Sequence, residues 1–194
     1  SLTLDHLDFQ YPHGPHVIKD LNLTLEPGRL YTLTGKNGAG KSTLAKLLCG
    51  VLQPDQGHIR LNQEIYDAWA SPGRQVGYHF QNPDLQLFST RVEDEIAAGP
   101  EAQQVEARQI EMRTEALMNA FGLSGLKEDH PLEMPFVIRK RIALAATLAM
   151  GCPWLILDEP TLGQDHTSAL ALKSMIDQMS SKGFGIVVIS HSEW

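Results

Sequence analysis

Residues 35–42 read Gly-Lys-Asn-Gly-Ala-Gly-Lys-Ser, GKNGAGKS, which fits the G-x-x-x-x-G-K-S spacing of a phosphate-binding loop at every fixed position. The flanks agree with it. Leu30 to Thr34, after the Pro27-Gly28 turn, reads as a short buried strand, and Lys41 to Cys49 as a helix. In a strand–loop–helix unit, Gly35, Gly38 and Gly40 let the backbone turn and bring its N–H groups against phosphates, while the helix presents its positive dipole end. Lys41 is expected to reach the β- and γ-phosphates of a nucleotide, and the Ser42 hydroxyl to ligate Mg²⁺. The nucleotide-binding set read from this stretch is Gly35, Asn37, Gly38, Ala39, Gly40, Lys41, Ser42 and Thr43.

Working outward, Leu2 to Phe9 and Val17 to Leu25 alternate apolar and polar residues and predict two antiparallel strands joined through Pro12, Gly14 and Pro15. Short strands are expected near Gly57–Leu61 and Val76–Phe80, the second stopped by Gln81-Asn82-Pro83. From Val92 to about Phe121 the composition turns helical and polar, with Ile110, Thr114, Leu117, Ala120 and Phe121 near helical spacing. Helices at about Ile138–Met150 and His166–Ser181 then feed apolar strands at Trp154–Leu157 and Gly185–Ile189, and this alternation implies a parallel sheet.

Trp154 to Glu159 reads WLILDE, an apolar strand ending in two carboxylates, as a Walker B segment would. Asp158 is placed to hold Mg²⁺ and Glu159 to act as general base on the attacking water. Phosphoryl transfer needs placement and charge neutralisation more than covalent chemistry, so these two acids suffice.

The order and spacing of the remaining motifs resemble the nucleotide-binding ATPases of ABC transporters over nearly the whole chain. The resemblance implies that Gln81 is the Q-loop glutamine contacting Mg²⁺ or water. It makes Asp165, in the LGQD of residues 162–165, the D-loop acid, with Gln164 where leucine is usual. His191 becomes the switch histidine facing the γ-phosphate, and Tyr11 the aromatic that stacks on adenine. Taken singly, Gln81 would be a loop polar residue, His191 a strand-end histidine and Tyr11 core filler. The fold so implied is α/β, a P-loop NTPase (RecA-like) core with an antiparallel β subdomain and an inserted α-helical subdomain. Residues 1–81 and 139–194 form the core, C-terminally truncated relative to the family, and 82–138 the helical insertion. A narrower likeness, FQNPDLQLF at 80–88 followed by VEDEIAAGP at 92–100, is to the ATPase component of energy-coupling factor importers of vitamins and transition-metal ions. There Leu85, Leu87 and Phe88 would be apolar anchors for a coupling helix, or core packing between subdomains.

One motif departs from the pattern. The family carries LSGGQ ahead of its basic, alanine-rich helix, whereas residues 134–138 are Met-Pro-Phe-Val-Ile. Pro135 has neither hydroxyl nor N–H, and Phe136 and Val137 carry side chains where glycine permits close backbone approach. This segment is not expected to cradle phosphate. The partners implied are a second ATPase subunit, or a fused half, with an intact signature, together with a transmembrane coupling subunit and a membrane-embedded substrate-binding component.

Composition narrows the classes. A formal net charge of −7 over 194 residues offers no general basic field for a nucleic acid backbone. Cys49 and Cys152 stand far apart, which fits a reducing compartment better than a disulfide framework. No apolar run approaches the roughly 20 residues that cross a bilayer, and no charged-then-apolar leader is seen. The expected location is peripheral, on the cytoplasmic side of a membrane. The first residue is Ser1 and the last Trp194, and the chain reads as part of a longer protein. Two other readings stay open: a non-transport ABC ATPase, and a regulatory nucleotide-binding module with weak hydrolysis. A small-molecule kinase does not suit the set Gln81, Glu159 and His191.

Overall fold

The computed structural model describes residues 1–190, in which two four-stranded sheets and five α-helices build an α/β fold. The antiparallel sheet runs β2-β1-β4-β5, from β1 (Leu2–Gln10), β2 (His16–Leu25), β4 (Gln56–Leu61) and β5 (Glu64–Ile65). In β1 the inward residues are Leu2 and Leu4, then Leu7 and Phe9, so the alternation changes phase. A register shift between Leu4 and Leu7 accounts for this, with His6 at φ 50°. Gly57 is required opposite that bulge, since a Cβ there would lie 2.2 Å from the His6 carbonyl oxygen. The short β5 was not anticipated. It pairs with β4 across Asn62-Gln63, both with positive φ (50° and 73°), the backbone of a tight hairpin turn.

The second sheet is parallel, in the order β3-β8-β7-β6, from β3 (Leu30–Leu33), β6 (Val76–His79), β7 (Trp154–Asp158) and β8 (Gly185–Ile189). Every residue of β6, β7 and β8 is buried, as a parallel sheet covered on both faces requires. Ile156, Val187 and Ile189 face a core shared with the antiparallel sheet and α1 (Lys41–Leu48), while Leu155, Leu157, Ile186 and Val188 face α5 (His166–Ser181). The Val92–Phe121 stretch divides into α2 (Val92–Ala102) and α3 (Ala107–Ala120). The Glu106 carboxylate caps α3 by accepting from the Arg108 and Gln109 N–H groups.

α4 (Phe136–Ala149) starts two residues earlier than its periodicity predicts, behind Pro135. It joins two cores: Ile142, Ala143 and Ala145 pack with α2 and α3, and Leu144 packs beneath the parallel sheet. Leu87 belongs to that helical core at 6% exposure and is not an external anchor, whereas Leu85 and Phe88 stand exposed at 71% and 74%. The buried Glu95 carboxylate fixes this segment by accepting from the Phe88 and Ser89 N–H groups at 2.8 and 2.6 Å. Cys49 and Cys152 are both buried and free.

Candidate nucleotide site

The C-terminal ends of the parallel strands converge on one cleft of about 350 Å³, the position at which open α/β sheets bind ligands. Its walls bring together Tyr11, Asn37, Gly38, Ala39, Gly40, Lys41, Ser42, Thr43, Gln81 and Asp158. Gly35 stands behind the loop, and its carbonyl accepts from Lys41 Nζ at 2.7 Å. Glu159 flanks the cleft and is not among the residues lining it. His191 lies outside the described residues.

Gly38 and Gly40 have φ of 81° and 90°, so the loop takes a left-handed path that side chains resist. At Gly40 a Cβ would also come within 2.9 Å of Val17 Cγ1. Helix α1 begins directly after Gly40 with no side-chain cap and no acidic residue in its first turn. Its first N–H groups and positive dipole end are therefore left to an anion. Lys41 Nζ also donates to the Lys36 carbonyl at 3.1 Å.

Asp158 is 4% exposed, and its Oδ2 accepts from the Ser42 hydroxyl at 3.1 Å and from the Tyr78 hydroxyl at 3.0 Å. Burial, with the facing Asp158 carboxylate, pushes the Tyr78 phenol well above its usual range, so it stays protonated and donates. Tyr11 is held edge-on to Phe9, with centroids 4.9 Å apart, and its hydroxyl shares a hydrogen bond with Thr43 Oγ1 at 3.2 Å. One face of the cleft is thus an ordered aromatic ring.

Three residues of this neighbourhood escaped the sequence reading. Tyr78 is brought to Asp158 by strand pairing, which no local motif reports. Gln86 Nε2 donates to the Ala143 carbonyl at 2.8 Å and to Thr147 Oγ1 at 2.9 Å, tying the segment after Gln81 to α4. Lys140 is fully buried and donates to the Glu159 carbonyl. Helical spacing carried a signal for it, since Lys140 shares a face with Ala143, Leu144 and Thr147.

Glycine-rich loop, uncapped helix and an acid at the end of a parallel strand one removed from the loop's own define a P-loop nucleotide-binding protein. The chain belongs to the ABC transporter family, whose sequence model matches residues 18–162. It is 34% identical over 191 residues to the energy-coupling factor transporter ATP-binding protein EcfA1 of Thermotoga maritima, covering 98% of this chain and 73% of that protein. Against the energy-coupling factor transporter ATP-binding protein EcfA of Methanocaldococcus jannaschii the identity is 33%, covering 95% of this chain and 68% of the other. Among solved structures it is similar to cbiO1 of Clostridium perfringens, described as part of the ABC transporter complex cbiONQ. There the TM-score is 0.81 at 30% identity, over 98% of this chain and 78% of that one.

Proposed function

We propose that the protein is the ATP-binding and ATP-hydrolysing subunit of an energy-coupling factor type importer of vitamins or transition-metal ions, working in an asymmetric ATPase pair. The observation that carries this is the single cleft that gathers Tyr11, the P-loop, Gln81 and Asp158. The names of its relatives, with membrane components implied by a multi-subunit transporter complex, supply the coupling to transport. Among the described residues no helix is long and apolar enough to cross a membrane, which suits a peripheral subunit on the cytoplasmic side.

Each side chain then has a task. Tyr11 offers its face to adenine. The N–H groups of residues 38–43 surround the phosphates. Of the three Lys41 donors, two rest on the Gly35 and Lys36 carbonyls, which leaves one for phosphate oxygen and keeps the ammonium in place meanwhile. Ser42 Oγ, Asp158 and Gln81 are hard oxygen donors on one wall, a set that suits Mg²⁺. When bound, that ion neutralises charge on the triphosphate oxygens. Glu159 takes the proton of the attacking water at its carboxylate, and His191 contacts the γ-phosphate.

The asymmetry rests on residues 134–138. Pro135 precedes α4 as its cap without a side-chain hydrogen bond, and the Phe136 ring lies 3.4 Å from the point where a Cβ on Gly163 would stand. This surface is filled by side chains where the family presents bare backbone. A nucleotide cradled by this chain's P-loop would need its opposing signature from a different subunit. The same observation favours one alternative, a nucleotide-binding regulatory subunit with weak hydrolysis.

The test is Glu159→Gln in the assembled complex. Binding of Mg-ATP, followed by calorimetry, should persist while turnover falls by about a hundredfold or more, the scale of a lost general base. Turnover that survives this change removes Glu159 from the role.

A further inference from the structure

Three consecutive basic residues stand one turn into α4, and each reaches a different segment around the site. Arg139 Nε lies 3.3 Å from Asp84 Oδ1, in the segment after Gln81. Lys140 Nζ donates to the Glu159 carbonyl. An Arg141 guanidinium N–H donates to Ser168 Oγ at 3.1 Å, and Ser168 in turn is bonded to Asp165. Of the three only Lys140 is fully buried. Its stem and ammonium occupy protein interior that an apolar residue would fill at lower cost.

The position it serves is strained. Glu159 has φ 46°, left-handed backbone in a residue other than glycine, a conformation that costs about 1–3 kcal/mol and persists only where surrounding structure over-determines it. The Glu159 N–H donates to the Ile189 carbonyl at 2.9 Å. Its carbonyl accepts from the Leu162 N–H at 3.1 Å and from Lys140. The backbone of Glu159 is held at three points, one of them a side chain of α4.

The ionisable groups facing Lys140 are His79, Asp158 and Glu159. His79, on β6, has no hydrogen-bond partner at either ring nitrogen among the described residues. The Asp158 and Glu159 carboxylates favour the charged ammonium, against a burial that pushes it down to about 8, so at neutral pH it is a cation. The charge therefore acts as a fixed donor beneath the Asp158–Glu159 turn.

We propose that Lys140 is a positioning residue for hydrolysis, holding the left-handed Glu159 peptide from beneath so that the Glu159 carboxylate keeps its bearing on the attacking water. This rests on the reading of Glu159 as general base. Because the donor sits one turn into α4, directly behind residues 134–138, movement of that helix is passed to the base through one hydrogen bond.

The experiment uses the full-length protein in its assembled complex and four forms besides the parent: Lys140→Met, Lys140→Arg, Glu159→Gln and the Lys140→Met/Glu159→Gln double variant. Steady-state and single-turnover ATP hydrolysis, the calorimetric Kd for Mg-ATP and the thermal midpoint are read for each. Misplacing a catalytic group by about 1 Å costs on the order of a hundredfold, so Lys140→Met should lower kcat by about ten- to a hundredfold. KM and Kd should stay within about twofold, because the P-loop is untouched. Lys140→Arg, which keeps a donor, should recover a substantial part of the rate. In the Glu159→Gln background the loss from Lys140→Met should vanish, since there is no base left to position. An equal loss in both backgrounds, or parallel loss of kcat and Kd, overturns the proposal while leaving Glu159 as base. Undiminished turnover in Glu159→Gln overturns both. Should Lys140→Met fail to fold, Lys140→Leu, which also lacks a donor, replaces it, and parent-like kcat in that variant overturns the proposal.

Discussion

At the end of β6 the His79 imidazole is fully enclosed, and among the described residues neither ring nitrogen has a hydrogen-bond partner. Burial, with the Lys140 charge nearby, pushes its pKa down to about 3, so the folded protein refuses a proton that the unfolded chain accepts near the ordinary value of 6.5. Stability tied to His79 is therefore complete above 6.5 and is lost as pH falls from there toward 3, at no more than about 1.4 kcal/mol per pH unit. Lys140 works in another window. Its cost as a buried ammonium is fully present below about 8 and is relieved as pH rises from there toward 10.5, where the unfolded chain also releases its proton. We predict that His79→Leu flattens the decline in stability between pH 6.5 and 4, read as urea midpoints at each pH. An unchanged decline would show that other groups set the acid limit.

Helix α5 starts where the Walker B strand has just ended, and its cap fixes the intervening turn. Asp165 Oδ1 accepts from the Ser168 N–H at 2.9 Å and Oδ2 from the Ser168 hydroxyl at 2.8 Å. These bonds hold the Asp165 carboxyl below its ordinary range. Asp165→Ala should lower the unfolding midpoint, with Asp165→Asn retaining most of the parent's stability, as measured by thermal or denaturant unfolding; an alanine variant as stable as the parent would deny the cap any weight. Elements were readable in the sequence where hydrophobic period and punctuation coincide, as in β1, β2, α1 and β7, with a cap residue added in α5. The P-loop and Asp158 were readable because their chemistry is contiguous in sequence. What escaped depends on partners distant along the chain. The two-residue β5 is too short to show a period, and the break at residues 103–106 contains neither glycine nor proline. Lys140 sits in an Arg-Lys-Arg run that reads as a solvated face, until helical phase aligns it with Ala143 and Thr147. Its carbonyl partner is 19 residues away.

For the whole molecule, the decisive feature is that a well-formed P-loop cleft and a blocked signature surface belong to the same chain. Two copies paired head to tail, as the family pairs, would place Pro135 and Phe136 opposite each bound triphosphate, twice. Neither opposing surface would offer the hydroxyl or bare N–H groups that phosphate oxygens need, so two binding-competent clefts would both turn over slowly. Pairing with a subunit that carries an ordinary signature repairs one cleft, the one whose P-loop, Asp158 and Glu159 come from this chain. We therefore predict low ATP turnover by the protein alone and a rise of about tenfold or more on mixing with such a partner, the scale expected when phosphate-stabilising donors are restored. Replacing residues 134–138 by Leu-Ser-Gly-Gly-Gln should confer comparable turnover on the protein by itself. Phe136 is already 39% exposed, but Met134 and Ile138 pack against the helical core, so the thermal midpoint of the exchanged protein is read beside its turnover. Turnover of the unaltered protein alone that equals the rate of the mixed pair would refute the asymmetry and return residues 134–138 to the role of an unusual but working signature.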